Sequence, residues 1–405
     1  MIARRSLLAA GALPLWGGRA RAADQLPQPS LRNLFAEVLG KTEAELDQRI
    51  GAAYQHLFQG GPEQRIVFDV APDMAYCADI NNQDVRSEGM SYALMLAVQL
   101  NQQAVFNRLW RWATRFMRHA EGERRGYFAW SCALDGKHLD PGSASDGEAW
   151  IAMALLMAEA RWGNGEGLLH YGDQAQALLA EMLHKPRTAR VTPIYDPQEK
   201  QIVFAPTPDA AGFTDPSYHL PAFTEIWAQR AADAADRRTW REVTDTSRHF
   251  FKRAAHPRTG LMPEYAYFDG RPYTPTHHGP GKADFRYDAW RILANVAIDH
   301  QWWRRDAEWQ MAQSQRVLGF LSANPKGSLF TLEGKALDEG RSLGLVAMLA
   351  VAGQGCPDAR QAKTWLQRLW DAPMPVGRYR YYDGLLALLG LLQAGGRFRP
   401  WGATV

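Results

Sequence analysis

The chain has 405 residues, 46% of them hydrophobic and 22% charged, which is the composition of a globular protein with one large domain or two ordinary ones. Its formal charge of +3 comes from four arginines that precede the first acidic residue, Asp24, so the rest of the chain carries −1. A near-neutral protein lacks the electrostatic footprint of a nucleic-acid or membrane-surface partner, and this argues against both.

Residues 1–23 have the pattern of an export signal. A basic start is followed by an apolar stretch of about eleven residues (6–16) and a small-residue end at Ala20-Arg21-Ala22. The Arg4-Arg5 pair resembles a twin-arginine signal, and an ordinary secretory signal is the alternative. We therefore expect a periplasmic or secreted protein whose mature part, residues 24–405, forms a single domain.

Six apolar segments with helical spacing recur along the chain, each near an acidic residue. These residues are Glu88, Asp146, Asp215, Asp288, Glu339 and Asp383. The segments are apolar almost all round and rich in Ala and Gly, which is typical of helices buried on several sides. They are predicted to form an inner ring of helices.

More charged, amphipathic segments alternate with these six. They cover residues 31–58, 104–119, 172–184, 237–254, 304–321 and 359–370. Six buried helices alternating with six half-exposed ones predict an all-α fold, an (α/α)6 barrel, with a few short β-hairpins. The strand-like segments are 126–132 and a hairpin over 191–204.

Acidic residues at the starts of parallel inner helices face the same end of such a barrel. For Asp215, Glu339 and Asp383 we favour helix capping, which stabilises a helix by about 0.5–2 kcal/mol. Glu88 and Asp146 are instead predicted to share a site in which burial and a neighbouring carboxylate keep Glu88 protonated. Two carboxyl groups with separated pKa values are what cleavage of a glycosidic bond requires.

Asp288 is followed one helical turn later by Arg291, whose permanent charge favours the ionised carboxylate that a general base needs. Aromatic residues also cluster near the predicted mouth, and flat rings pack well on sugar faces. Trp130, Tyr218 and Tyr382 are the candidates for such contacts.

Several motifs together resemble glycoside hydrolase family 8, from about residue 30 to 395, and within it the xylan-active branch of endo-xylanases and reducing-end-xylose-releasing exo-oligoxylanases. The motifs are Asp84-Val-Arg-Ser-Glu-Gly-Met-Ser-Tyr92, Gly126-Tyr-Phe-Ala-Trp-Ser131, Ser145-Asp-Gly-Glu148, Arg161-Trp-Gly-Asn-Gly165, Asp215-Pro-Ser-Tyr-His219 and Tyr381-Tyr-Asp-Gly384. The sequence departs from the family pattern at Ala93 and at Glu148-Ala149.

The resemblance implies an (α/α)6 barrel and an inverting mechanism without a metal or an organic cofactor. By position, Glu88 is the general acid, Asp288 the general base and Asp146 the third carboxylate, which binds and distorts the sugar. It also implies that four residues stack on the substrate or orient the base, namely Trp130, Tyr218, Tyr287 and Arg291. The expected partner is a neutral oligosaccharide or polysaccharide, and the expected oligomeric state is a monomer.

Other functions remain open from the sequence. A β-1,4-glucanase or chitosanase of the same family would carry the same carboxylates, and a polysaccharide lyase can use a similar barrel. A non-catalytic glycan-binding protein would need only the aromatic residues. The His277-His278 pair is interpreted as part of a surface loop rather than a metal site, because no partner stands at ligand spacing.

Overall fold

The computed structural model describes residues 31–274 and 279–403. The predicted export signal and the His277-His278 pair both lie outside these residues. The helices α1 to α13 within them are, in order, Leu34–Leu39, Glu43–Gln59, Ser87–Gln99, Gln103–Trp112, Ser145–Trp162, Tyr171–His184, Pro221–Arg230, Ala234–Ala254, Arg291–Trp302, Ala307–Ala323, Leu343–Ala352, Lys363–Asp371 and Arg380–Ala394.

Six of these helices form a closed inner ring, in the order α3, α5, α7, α9, α11 and α13. Neighbours in the ring pack together, and α13 returns to contact α3. Between α5 and α7, the rings of Trp150 and Phe223 meet edge to face with centroids 4.9 Å apart. Every residue of α3 except Glu88 is buried, as expected for a helix surrounded by other helices.

A second set of helices surrounds the inner ring. Helices α4, α6, α8, α10 and α12 each pack on the inner helix that precedes them in the chain, and α2 packs on α13. Each inner helix therefore has one outer partner, and the predicted all-α (α/α)6 barrel is confirmed. None of the helices in the described ranges is long and apolar enough to cross a lipid bilayer.

A small antiparallel sheet lies at the amino-terminal end of α3. Its strands β1 to β5 follow chain order and are Val67–Val70, Met74–Asp79, Asp84–Arg86, Ser131–Ala133 and His138–Asp140. Strand β3 runs directly into α3 and pairs with β4, with Arg86 opposite Ser131. The sheet therefore brings the segment that ends at Trp130 to the start of an inner helix, where the Ser87 amide donates to the Trp130 carbonyl at 3.0 Å.

The structure corrects parts of the predicted secondary structure. In residues 126–132 only the last two belong to a strand, and the predicted hairpin over 191–204 is reduced to one bridge between Tyr195 and Ile202. Strands β1 to β3 were not predicted, because runs of three to six residues are too short for a reliable alternation pattern. The expectation that Glu339 opens an inner helix is wrong, since Glu339 lies exposed in a loop and Ser342 caps α11.

Candidate active site

The guanidinium of Arg291, the first residue of α9, joins the three predicted carboxylates. Its Nη1 lies 3.0 Å from Asp146 Oδ2 and 3.4 Å from Glu88 Oε2, and its Nη2 lies 3.1 Å from Asp288 Oδ1. The residues come from three different inner helices or their starts, so the ring of helices is what brings them together. The carboxylates predicted from the sequence to converge on one mouth do so around this one cation.

Each carboxylate is placed by the first turn of its helix. Glu88 lies in the first turn of α3 and Asp146 in that of α5, while Asp288 lies in a 3₁₀ turn, Tyr287–Trp290, that leads into α9. Two glycines permit the close approach. A Cβ at Gly89 would lie 2.4 Å from the Tyr381 ring, and one at Gly147 would lie 2.5 Å from Ser87 Oγ.

Burial raises the pKa of Glu88 to about 8, and the negative charges of Asp288 and Asp146 add to the rise while Arg291 opposes it. Only 21% of its side chain is exposed. The Tyr381 hydroxyl contacts its other oxygen, Oε1, at 3.4 Å. The rise in pKa predicted from the sequence is therefore present, and Glu88 carries a proton at neutral pH.

Asp146 and Asp288 differ in their surroundings. Asp146 is buried, its Oδ1 has no hydrogen-bond partner among the described residues, and burial is the main cause that raises the pKa of its carboxyl. Asp288 keeps 25% of its side chain exposed, so solvent or substrate can reach it. Its ion pair with Arg291, expected from their spacing, holds one of its two oxygens.

Two further hydrogen bonds hold Arg291, and both involve residues that the sequence did not single out as site residues. Nη1 donates to the Tyr92 hydroxyl at 2.6 Å, and Nη2 donates to Ser217 Oγ at 2.9 Å. The sequence separation between these two residues and Arg291 carries no signal, because Tyr92 and Ser217 both come from other parts of the chain. Its place next to Arg291 depends on how α7 and α9 pack.

The acids interpreted as caps have mixed outcomes. Asp215 caps the 3₁₀ turn Pro216–Tyr218, accepting from the Ser217 amide at 2.7 Å, but it is also fully buried close to Asp288. Asp383 accepts from the Gly344 amide at 3.1 Å and so caps α11, the neighbouring helix, rather than its own. Glu339 caps nothing that the structure describes.

The four predicted aromatic residues divide into two groups. Trp130 is half-buried beneath the guanidinium of Arg86. Tyr287 is 47% exposed, and the Tyr382 hydroxyl donates to the backbone carbonyl of Tyr287 at 3.0 Å. These three have ring surface that a ligand can reach. Tyr218 is only 6% exposed, its ring is stacked on Phe204, and Arg291 lies over it. It supports the guanidinium rather than offering a platform for a sugar.

Two more buried carboxyls near the site were not predicted as part of it. Glu148 accepts from the Phe128 amide at 2.9 Å and thereby ties α5 to the segment that carries Trp130, and burial raises its pKa to about 8. Glu264 is paired with Lys282, and burial together with Asp288 raises its pKa to about 7.

Within residues 31–274 and 279–403, no group of three or more His, Cys, Asp or Glu side chains has the arrangement of a metal site.

Comparisons with known proteins place these residues in a family. The family model described as "Glycosyl hydrolases family 8" matches residues 76–396. The reducing-end xylose-releasing exo-oligoxylanase Rex8A of Paenibacillus barcinonensis is 40% identical over 376 residues, covering 91% of this chain and 96% of Rex8A. A reducing end xylose-releasing exo-oligoxylanase of Halalkalibacterium halodurans is 37% identical, covering 91% of this chain and 94% of that one.

Solved structures give the same result. The crystal structure of a family 8 xylobiose complex from Teredinibacter turnerae superimposes with a TM-score of 0.88 at 40% identity, covering 92% of this chain and 98% of the other. Endoglucanase A of Acetivibrio thermocellus is more distant, with 27% identity over 78% of this chain and 63% of that enzyme. The chain therefore belongs to glycosyl hydrolase family 8 and is a glycoside hydrolase.

Proposed function

We propose that this protein hydrolyses β-1,4-xylosidic bonds in xylo-oligosaccharides or xylan with inversion of the anomeric carbon. The observation that carries the proposal is a largely buried Glu88 with a raised pKa, held with Asp288 on one guanidinium, because an inverting glycosidase needs one carboxylic acid and one carboxylate. The similarity to two reducing-end xylose-releasing exo-oligoxylanases supports xylose as the sugar.

In this mechanism Glu88 is the general acid. Its pKa of about 8 keeps the proton on the carboxyl at neutral pH, where it is delivered to the glycosidic oxygen as the bond to the anomeric carbon breaks. The Tyr381 hydroxyl next to Oε1 stabilises the carboxylate that remains after the transfer.

Asp288 is the general base and accepts a proton from the water that attacks the anomeric carbon from the opposite face. Arg291 holds its Oδ1, which leaves Oδ2 for the water. Asp146, held by the same guanidinium, is the third carboxylate and hydrogen-bonds the sugar at the cleavage site. Neutral sugar rings bind Trp130, Tyr287 and Tyr382, which fits a chain whose charge after the predicted signal is near zero.

The experiment is a product profile on xylotriose, xylohexaose, carboxymethylcellulose and chitosan. We expect hydrolysis of the xylo-oligosaccharides, with the α-anomer of the new reducing end appearing first in proton NMR spectra. Release of single xylose units from the reducing end indicates exo action, as the names of the curated relatives suggest. Release of mixed oligomers from xylohexaose indicates endo action instead.

Controls make the result specific to the site. Glu88→Gln and Asp288→Asn should each abolish hydrolysis and keep the native circular-dichroism spectrum. Initial release of the β-anomer, or activity on carboxymethylcellulose or chitosan alone, contradicts the proposal. An unsaturated, ultraviolet-absorbing product would identify a lyase instead.

We further propose that the protein is exported through a twin-arginine signal and acts as a monomer outside the cytoplasm. The Arg4-Arg5 pair and the apolar stretch that follows it support export. Fusing residues 1–23 to a reporter, with Arg4 and Arg5 changed to Lys as a control, tests export. Light scattering of the purified protein tests the oligomeric state.

A further inference from the structure

We propose that Asp215 is a positioning residue of the active site. It holds the turn in which the Ser217 hydroxyl accepts a hydrogen bond from Arg291, and thereby aligns the guanidinium that pairs with Asp288 and Asp146. The sequence alone indicated only a helix cap at this position. The inference rests on the hydrolase function proposed above and extends it to a residue that touches none of the reacting atoms.

The contacts form a continuous path. Asp215 Oδ1 accepts from the Ser217 amide at 2.7 Å, and Ser217 Oγ accepts from Arg291 Nη2 at 2.9 Å. The same nitrogen lies 3.1 Å from Asp288 Oδ1. The turn is also tied to α9 by Asn295, whose side-chain amide donates to the Ser217 carbonyl at 2.7 Å. The angle at which Arg291 meets Asp288 therefore depends on where Asp215 places Ser217.

The second oxygen of Asp215 distinguishes it from an ordinary cap. Asp215 Oδ2 is buried and has no hydrogen-bond partner among the described residues. Burial, followed by the charge of Asp288, raises the pKa of this carboxyl well above its usual value. Asp358 is an ordinary cap for comparison. It accepts from the amide of Arg360, two residues later, at the start of a surface 3₁₀ turn, and the Arg360 side chain and amide lower the pKa of Asp358.

The raised pKa of Asp215 favours its neutral form, and this affects the charge balance around Arg291. Arg291 already contacts three carboxyl groups, and an ionised Asp215 would compete with Asp288 for the same guanidinium. A protonated carboxyl keeps the hydrogen bond to the turn without adding that competition. An amide has the same shape, accepts in the same way and is neutral, so asparagine should keep the turn and the activity. Its NH2 group would take the place of the buried Oδ2, which has no partner among the described residues, so some loss of stability is expected.

The experiment compares Asp215→Ala, Asp215→Asn and Ser217→Ala, with Asp358→Ala as the matched control for loss of a cap. On xylohexaose we expect Asp215→Ala and Ser217→Ala to lower kcat about 10- to 100-fold with little change in KM, because a small misplacement of catalytic groups costs that much. Asp215→Asn should stay within about threefold of wild type, and Asp358→Ala should not change kcat.

The pH profile separates positioning from simple stability. The titratable and charged groups that surround Asp288 are Glu88, Asp146, Asp215, Glu264, Tyr218, Tyr265, Tyr382 and Arg291. Asp215→Ala removes the cap of the turn that carries Ser217 and Tyr218, and both of these residues contact Arg291. Because the charge of Arg291 opposes the rise in the pKa of Glu88, an Arg291 that has moved away should shift the basic limb of kcat/KM to higher pH, whereas Asp215→Asn should leave the profile unchanged.

Crystal structures of the variants provide a test that needs no substrate. Arg291 should leave Ser217 and Asp288 in Asp215→Ala and keep both contacts in Asp215→Asn. A wild-type enzyme inactive on xylohexaose would refute the proposed function and leave this structural test intact. An unmoved Arg291 with an unchanged pH profile in Asp215→Ala would reduce Asp215 to a cap, and a loss in Asp215→Asn as large as in Asp215→Ala would show that the ionised carboxylate is required.

Discussion

Glu88→Gln should stabilise the folded protein while it abolishes hydrolysis. In the unfolded chain this carboxyl ionises above its usual pKa of 4.5, whereas in the folded protein the proton stays until about pH 8. Because the folded-state pKa is raised, the stability contributed by the protonated group is complete below pH 4.5 and is lost as the pH rises through 8. At pH 7 the loss is about 3 kcal/mol, taking 1.36 kcal/mol for each pH unit above 4.5.

Glutamine does not ionise, its amide oxygen can take the place of Oε2 and accept from Arg291, and its amide nitrogen can then donate to the Tyr381 hydroxyl. Urea unfolding of both proteins between pH 4.5 and 8.5 is the assay. We expect the variant to match wild type near pH 4.5 and to exceed its free energy of unfolding by an amount that grows with pH. Glu166→Gln, the same change at an exposed position, should alter the free energy by less than about 0.5 kcal/mol.

A constant difference across this pH range, or a variant less stable than wild type at pH 8, would refute the reasoning that burial keeps Glu88 protonated. The same pKa predicts the basic limb of the wild-type rate profile. Since a general acid must carry its proton, kcat/KM should fall as the pH rises through about 8.

Three other substitutions test the site, and Gly51→Ala serves as a control. Asp288→Asn should lower kcat by at least about 10²-fold, measured on xylohexaose, because it removes the general base; activity near that of wild type would exclude the role. Gly89→Ala should cost about 1–3 kcal/mol in thermal unfolding and lower kcat, since its Cβ would lie 2.4 Å from the Tyr381 ring. Gly51→Ala in α2 meets nothing within 4 Å and should instead stabilise the protein by about 1 kcal/mol. Tyr287→Ala should raise KM for xylo-oligosaccharides and leave stability within about 0.5 kcal/mol, because its ring is exposed; an unchanged KM would remove it from the binding surface.

Much of the architecture was readable from the sequence because helical periodicity extends over many residues. Segments apolar on all sides, such as the one that follows Glu88, indicate helices that are buried on several sides. The alternation of these segments with six amphipathic ones then predicted the (α/α)6 barrel. The strands near Glu88 were missed because three to six residues carry too little periodic signal, and the start of α11 was misplaced because Ser342, not Glu339, is its cap.

The identity of the three carboxylates was also readable locally, from the motifs around them and from the spacing of Asp288 and Arg291. The sequence also predicted a raised pKa for Glu88, but it did not show the contacts that cause the rise. The proton on Glu88 depends on burial by other helices, and the partners of Arg291 on α3 and on the turn before α7 are distant in the chain. The sequence determined which side chains bear the charge. Only the tertiary structure decided how deeply each carboxyl is buried and which charges surround it, because both are properties of the packed barrel.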